Sequence, residues 1–363
     1  MRLNRLSHWA LICTLSVAPA SITVRAQDDA VSQTAHSKTK DNDKDNDRDV
    51  RSNAALWAKI QNPVLWHEPG NIASLDLYWG AGGKDNRPKP PFVFLSEDSN
   101  GTNPKFDVRD ANGTKWRVKE GEEAQPEIAA SRLLWATGYY TNEDYLIPGG
   151  QVQGVKMKRG SEDLKKRGTL VNVRFARKPD GQKKIGIWKW KTASFYGTRE
   201  FNGLRVMMAV INNWDLKDTN NAVYMDSRNN QQIFLISDIG ASFGSNGVSW
   251  SRSRSKGNIN SFRSSGFIQS KTDSTVSFST PKKPTGMLLA TMGATAKSFA
   301  MRKDLDWIGN DIPIPDARWI GGLLGQLSHK QLTDAFRAAN FSDEEIQAYV
   351  EVVESRITEL KKL

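Results

Sequence analysis

The sequence predicts an α+β protein of two lobes, with an antiparallel sheet and a helix in the N-lobe and a mainly helical C-lobe. Three observations lead to this fold class. Residues 91–119 alternate apolar and polar side chains in three runs that turns separate, and residues 126–137 repeat apolar side chains at helical spacing. The C-terminal part carries two capping-box patterns. A length of 363 residues is enough for two such lobes.

The first 26 residues have the pattern of a secretory signal. Arg2 and Arg5 precede an apolar run from Trp9 to Ala18, and the V-R-A sequence that ends at Ala26 places small residues where a signal peptidase reads them. The apolar run is too short to span a bilayer. We therefore expect a secreted or periplasmic protein without a membrane span.

Residues 27–53 are predicted to be a disordered tether, because they carry mixed charge and almost no apolar side chains. Cys13 is the only cysteine and lies inside the signal, so the mature chain has no disulfide and no thiolate metal site. Removal of the three signal arginines takes the formal net charge from +11 to +8. This charge suits anionic partners such as nucleotides, but acids are interspersed with the basic residues, which argues against a nucleic-acid binder.

The N-lobe is assigned to residues 54–192. Pro126 suits the first turn of the helix that follows the three strands, and Gly138 suits its C-terminal end. A further strand is expected over residues 139–148. Residues 169–191 are interpreted as a hairpin around a Pro-Asp-Gly-Gln turn.

The C-lobe is assigned to residues 193–363, and the lobes divide near residues 190–197. An apolar stripe at helical spacing predicts a helix over 198–213. A strand from Gln231 leads into a glycine-rich turn, and the segment 245–285 is long, polar and rich in serine and arginine. Its run at residues 249–255 is interpreted as a flexible loop, with an activation segment as the alternative. Two capping boxes, at Ser328 and Ser342, begin helices near the C-terminus.

The stretch NNWDLKDTNNAVY, residues 212–224, carries the candidate chemistry. Phosphoryl transfer needs a carboxylate near the attacking hydroxyl and oxygen ligands for magnesium. Asp215 and Asn220 have the D-x-x-x-x-N spacing of a kinase catalytic loop, and Lys217 lies where it can steady the transferred phosphate. Asp238 follows a strand, as a metal-binding aspartate would.

Upstream residues supply the nucleotide-binding part of the pattern. Lys119 closes a predicted strand and Glu127 opens the next helix, which suits the lysine and glutamate pair that positions phosphates. The loop between the first two strands lies where a phosphate-covering loop belongs, and its candidate residues are Ser99, Asn100, Gly101 and Thr102.

Several neighbours remain alternatives to these residues. Lys115 and Arg117 share the strand face of Lys119 by alternation. Asn221 is an alternative ligand to Asn220, and Asp218 is interpreted as a solvated turn residue. Three acids compete with Glu127 but precede the helix, namely Glu120, Glu122 and Glu123. His67 and His329 are far apart and lack partners at ligand spacing, so both are interpreted as structural.

These motifs resemble an atypical member of the protein-kinase-like superfamily, similar to bacterial toxin-type serine/threonine kinases and phosphatidylinositol kinases. The segments NPKFDVRDANGTKWRVK and NNWDLKDTNNAVY are also similar to a group of uncharacterised secreted bacterial proteins. The resemblance implies ATP and Mg²⁺ or Mn²⁺ as cofactors, with Lys119 on phosphates and Glu127 paired to it. It also implies Asp215 as the base and Asn220 and Asp238 as metal ligands.

The sequence departs from the protein-kinase pattern in places that bear on the substrate. Asn213-Trp214 stands where protein kinases have His-Arg, and D-I-G replaces D-F-G. We therefore expect a secreted kinase-like phosphotransferase that moves phosphate from ATP to a protein or small molecule. The alternatives are an exported pseudokinase that acts as a binding or scaffold protein, and adenylylation on the same fold. The acceptor and the oligomeric state are not specified by the sequence.

Overall fold

The computed structural model describes residues 48–99, 103–177, 181–245, 252–280 and 304–363. The predicted signal and most of the predicted tether lie outside these residues, as do Asn100, Gly101 and Thr102. The described chain mixes strands with helices, which confirms the α+β class in its coarse form. No helix among the described residues is long and apolar enough to cross a bilayer.

The elements up to the end of the predicted N-lobe are mostly strands. In chain order they are α1 (Ala54–Trp57), β1 (Pro63–Val64), β2 (Phe92–Asp98), β3 (Lys105–Arg109), β4 (Lys115–Lys119), α2 (Ala124–Ala136), β5 (Glu143–Gln153), α3 (Glu162–Arg167), β6 (Thr169–Arg177) and β7 (Gln182–Gly186).

Helices are longer in the remaining part of the described chain. The elements there are α4 (Arg199–Val210), β8 (Asn221–Asp226), β9 (Gln231–Ile236), α5 (Ile259–Ser264), β10 (Ile268–Lys271), β11 (Thr275–Phe278), β12 (Ile312–Pro313), α6 (Ile314–Leu324), α7 (His329–Arg337) and α8 (Asp343–Lys361).

Five strands form a closed barrel in the order β2-β3-β4-β6-β5. The prediction of a purely antiparallel sheet is wrong in one respect, because β2 and β5 run parallel where the barrel closes. Alternate residues of the strands fill the interior with apolar side chains, including Phe106, Val118 and Phe175, all fully buried. Closure pairs both edge strands, so the barrel leaves no strand edge open.

Helix α2 follows β4 and is buried on nearly its whole circumference. It starts at Ala124, two residues before the predicted Pro126, and ends as predicted before Gly138, which has a φ of +90°. A Cβ at Gly138 would lie 2.2 Å from the carbonyl oxygen of His67, so only glycine fits this turn. The helix packs against β5 and β6 of the barrel, and its N-terminus lies close to the end of β4.

The predicted hairpin over residues 169–191 is wrong. Strand β6 pairs with β4 and β5 in the barrel, whereas β7 pairs with β8 in a separate sheet of order β1-β9-β8-β7. Turn residues and alternation indicate two strands and a change of direction, but they do not specify which strands pair. This second sheet presents the end of β9 beside the barrel.

The predicted tether is too long at its C-terminal end. Asp49 forms a parallel bridge with Ile187, and the Val50 side chain is only 1% exposed. The backbone N–H of Val50 donates to Ile187 O at 3.0 Å, and Ile187 N–H donates to Arg48 O at 3.0 Å. Residues 48–53 therefore belong to the folded protein, because the buried Val50 side chain and the backbone bonds to Ile187 hold this polar segment. Residues 27–47 lie outside the described residues.

The C-terminal helices pack around an aromatic core. Ser328 and Ser342 both form the predicted capping boxes, at the starts of α7 and α8. Phe336 and Tyr349 stack at 5.1 Å between these two helices. The polar segment 245–285 contains α5, β10 and β11 where it is described, and residues 252–255 of the predicted flexible loop form a 3₁₀ turn. Its serines and arginines concealed the short apolar pattern of these elements.

Candidate functional site

Lys119 lies at the centre of a buried ionic cluster. Its Nζ is 2.6 Å from Glu123 Oε2, 3.1 Å from Glu127 Oε2 and 3.0 Å from Asp238 Oδ1. Lys119 is 1% exposed, and its three partners come from the start of α2 and from the turn after β9. The structure thus brings together Lys119, Glu127 and Asp238, which are separated by up to 119 positions in the sequence.

The alternatives to Lys119 lie elsewhere on the barrel. The side chain of Lys115 is 59% exposed and pairs with Asp107. Arg117 is 39% exposed and pairs with Asp98 and Asp107. Only the last lysine of β4 reaches the point where α2 and the turn after β9 cover the strand. Of the acids that compete with Glu127, Glu123 also contacts Lys119. Two glutamates, Glu123 and Glu127, therefore pair with this lysine.

Arg174 was not among the predicted site residues. It is the register partner of Lys119 on β6, and its guanidinium bonds Glu127 Oε1 in a buried ion pair. No sequence signal distinguishes it, because the same strand also carries Asn172 and Arg177. Glu127 therefore bridges two cations, and this fixes its carboxylate on the Lys119 side of the helix.

The cluster sets the charge of its members. Burial opposes the charge on Lys119, but Glu127, Asp238 and Glu123 outweigh it and raise the pKa of Lys119 above its usual value. Burial also opposes ionisation of Asp238, yet Lys119 and Lys105 hold the pKa of Asp238 well below its usual value. For Glu127 burial dominates and raises the pKa despite Arg174 and Lys119. Lys119 is therefore a cation and Asp238 an anion at neutral pH.

The loop that carries Asp215 starts where α4 ends. Asn212 has a φ of +52°, and its side-chain oxygen accepts from Trp214 Nε1 at 2.8 Å. Asn213 Oδ1 accepts from the backbone N–H of Asp215 at 3.0 Å. These two side-chain oxygens shape the turn, and Asn212 Nδ2 also donates to Gly244 O. The Asp215 carboxylate lies 2.8 Å from Lys217 Nζ.

Asn220 joins this loop to the Lys119 cluster. The side-chain Nδ2 of Asn220 donates to the backbone oxygen of Asp215. The backbone oxygen of Asn220 accepts from Ser237 N at 2.7 Å and from Asp238 N at 3.2 Å. Asn221, the alternative ligand, is fully buried and donates to Trp188 O at 2.9 Å. Asn221 is therefore structural, and Asn220 is the asparagine that lies beside Asp238.

Two further predicted residues differ in their surroundings. Asp218 was interpreted as a solvated turn residue, but its carboxylate is partly buried and accepts from Trp190 N at 3.2 Å. Burial raises the pKa of Asp218, which fits a structural role. Ser99 is exposed after β2, and the rest of the predicted phosphate loop lies outside the described residues.

The donor set suits a hard cation that also has phosphate ligands. The Asp238 carboxylate is 34% exposed, and the backbone of Asn220 is bonded to that of Asp238. Magnesium in nucleotide sites uses one or two carboxylates together with phosphate oxygens and water. Within the described residues, no group of three or more His, Cys, Asp or Glu side chains is arranged to hold a metal ion by itself.

Comparison with known proteins finds little. No family model and no curated protein matches the chain. Among solved structures, the chain is similar to the crystal structure of a Helicobacter pylori proinflammatory kinase, CtkA. That match has 12% identity, covers 75% of this chain and 99% of that chain, and has a TM-score of 0.32. A similarity this distant carries no argument, so the candidate function rests on the geometry of the site.

Proposed function

We propose that the chain is a kinase-like phosphotransferase that moves the γ-phosphate of ATP to a hydroxyl group of a protein or small molecule. One observation carries the proposal. Lys119 Nζ lies 3.1 Å from Glu127 and 3.0 Å from Asp238, on a strand, a helix and a post-strand turn that occur in the kinase order. Lys119 ends the third barrel strand and Glu127 lies on the helix that follows, as in the kinase pattern.

Each residue has a role in this proposal. Lys119 binds phosphate oxygens, and Glu127 holds the ammonium group in place with the help of Arg174. Asp238 and Asn220 would hold the magnesium ion. When bound, that ion neutralises charge on the phosphates.

The reaction itself requires a proton acceptor near the acceptor hydroxyl. Asp215 takes the hydroxyl proton as the hydroxyl oxygen bonds to the γ-phosphorus. The bond from that phosphorus to the β,γ-bridging oxygen breaks, and ADP leaves with the electron pair. Lys217 Nζ lies 2.8 Å from the Asp215 carboxylate. In this proposal Lys217 orients the carboxylate and the transferred phosphate.

A second candidate is a nucleotide-binding protein without turnover. The ion pair between Lys217 and Asp215 favours this candidate, because Lys217 contacts the carboxylate that would have to accept the proton during phosphate transfer. The two candidates share the nucleotide site and differ only in the chemical step.

The experiment that separates them uses ATP, magnesium and candidate acceptors, followed by mass spectrometry of the acceptors. Addition of a phosphate supports the proposal, and addition of a nucleotide indicates adenylylation. ATP-dependent thermal stabilisation without any modified product indicates the second candidate. Asp273→Asn, a change of an exposed aspartate between β10 and β11, is the matched control and is expected to behave as wild type.

We also propose that the protein is exported. The signal pattern of residues 1–26 supports this, and N-terminal sequencing of the exported protein is expected to begin at Gln27. A mature protein that begins at Met1 and remains in the cytoplasm would contradict export.

A further inference from the structure

The carboxylate of Glu123 is held like a bound anion. Lys119 Nζ lies 2.6 Å from its Oε2, and Lys256 Nζ lies 2.8 Å from its Oε1. The side-chain amide of Asn103 also donates to Oε2. These three donors come from β4, from the segment before α5 and from the residues before β3. Charge-assisted bonds from several elements to one group are the way proteins bind phosphates and carboxylates.

The donors are largely withdrawn from solvent. The side chain of Lys119 is 2% exposed, that of Lys256 is 11% exposed and that of Glu123 is 14% exposed. A buried ammonium group needs an anion. Lys119 keeps Glu127 and Asp238 when Glu123 is absent, whereas the ion pair of Lys256 is with Glu123, so the place of the Glu123 carboxylate needs an anionic occupant. In the structure Glu123 is that occupant.

The cluster is electrically balanced only while Glu123 is present. Its three cations and three anions are Lys119, Arg174, Lys256, Glu123, Glu127 and Asp238. Lys105, the register partner of Lys119, adds positive charge that acts on Asp238. When the Glu123 carboxylate moves out, a net positive site remains beside Asp238. Such a site attracts a phosphate group.

The position of Glu123 allows this movement. It is the N-cap residue of α2, but its side chain makes no capping hydrogen bond, so the helix loses none when the side chain leaves. Glu127 differs, because it is 1% exposed within the helix and is bonded to Arg174 as well as Lys119. Of the two glutamates, Glu123 is therefore the exchangeable one.

We propose that Lys119, Lys256 and Asn103 form the binding site for the phosphate chain of the nucleotide, and that Glu123 fills this site until phosphate displaces it. The identity of the ligand rests on the proposed function. Lys256 is the new element, since it places the segment after Asp238 in direct contact with the nucleotide phosphates. The binding of nucleotide thereby releases Glu123 and keeps Lys256 in the cleft.

The test is calorimetric titration of the full chain with inorganic tripolyphosphate without metal. Lys256→Met is expected to weaken binding about tenfold, because one charge-assisted hydrogen bond to the phosphate is lost. Glu123→Gln is expected to strengthen binding about threefold, because the displaced group no longer carries charge. Lys271→Met, a change of an exposed lysine on β10, is the control and is expected to bind as wild type.

Lys256→Arg keeps the charge and is expected to retain most of the affinity, which separates loss of charge from misfolding. Wild-type affinity in Lys256→Met, or no gain in Glu123→Gln, would overturn the inference. Absence of tripolyphosphate binding in both wild type and Glu123→Gln would also overturn it. Binding with these differences but without phosphate transfer from ATP would support this site and contradict the phosphotransferase function.

Discussion

The Lys119 cluster and the Asp215 loop hold their polar groups by different means. The Lys119 cluster joins residues from distant parts of the chain, and Lys119 at its centre is 1% exposed. The Asp215 loop is more local, since side chains at positions 212, 213 and 220 bond within the loop. Its links to other segments include the bond from Asn212 Nδ2 to Gly244 O and the bonds from Ser237 N and Asp238 N to Asn220 O. We therefore expect substitutions in the cluster to lower folding stability more than substitutions in the loop.

The largest effect is expected from Lys119→Met. The change leaves Glu123, Glu127 and Asp238 without their shared cation, and loss of one partner of a buried ion pair costs about 3–5 kcal/mol. Urea unfolding would measure this loss. Lys115→Met is the control on the same strand, because its exposed ion pair contributes about 1 kcal/mol or less. Equal losses of unfolding free energy in the two variants would show that the buried cluster stabilises the fold no more than a surface ion pair does.

Asp215→Asn tests the other side of the comparison. We expect turnover to fall about 10²- to 10⁴-fold, the usual contribution of a general base, while nucleotide affinity stays within about twofold. Single-turnover kinetics and calorimetry with ATP would measure the two quantities. Little change in stability is also expected, since the Asp215 side chain is 24% exposed. Loss of folding in this variant would mean that the loop, too, is structural.

Separate alanine substitutions of Asn220 and Asn221 test which asparagine serves the metal site beside the cluster and which one is structural. Asn221→Ala breaks a buried hydrogen bond to Trp188 and is expected to destabilise the protein by about 1–3 kcal/mol with magnesium dependence unchanged. Asn220→Ala is expected to weaken magnesium-dependent ATP binding instead. Thermal shifts with and without magnesium would distinguish them. The reverse result would make Asn221 the ligand.

The smallest effect is expected in the pH dependence of folding stability in acid. Because the folded-state pKa of Asp238 lies below its ordinary value of 3.8, ionised Asp238 stabilises the fold above that pH, and the contribution is lost as the pH falls further. Wild type should therefore be more stable than Asp238→Asn at neutral pH, and the gap should narrow in acid. Urea unfolding across the acid range would measure it. A gap that stays constant would show that Asp238 contributes no charge to stability.

The sequence predicted most of the elements but fewer of their partners. Alternation and capping patterns indicated β2 to β4, α2 and the helices at Ser328 and Ser342, because these signals are local. Barrel closure and the separation of β6 from β7 depend on contacts between distant residues, which no local pattern encodes.

The same distinction applies to the candidate site. Lys119, Glu127 and Asp238 could be selected from their places next to strand and helix ends, and the structure brings them into contact. Arg174 and Lys256 were missed because an arginine in a strand and a lysine in a serine-rich segment have no distinguishing neighbours. Their importance arises only from the groups that folding places beside them.

The N-terminal segment from Arg48 to Ser52 bears on how the protein should be immobilised or fused to another protein. Its backbone is bonded to Ile187, and the next residue, Trp188, supplies the carbonyl that binds Asn221 at the start of β8. Force applied through the N-terminal end is thus transmitted within a few bonds to Asn221. Immobilisation through the C-terminal end, after α8, would leave that path unloaded.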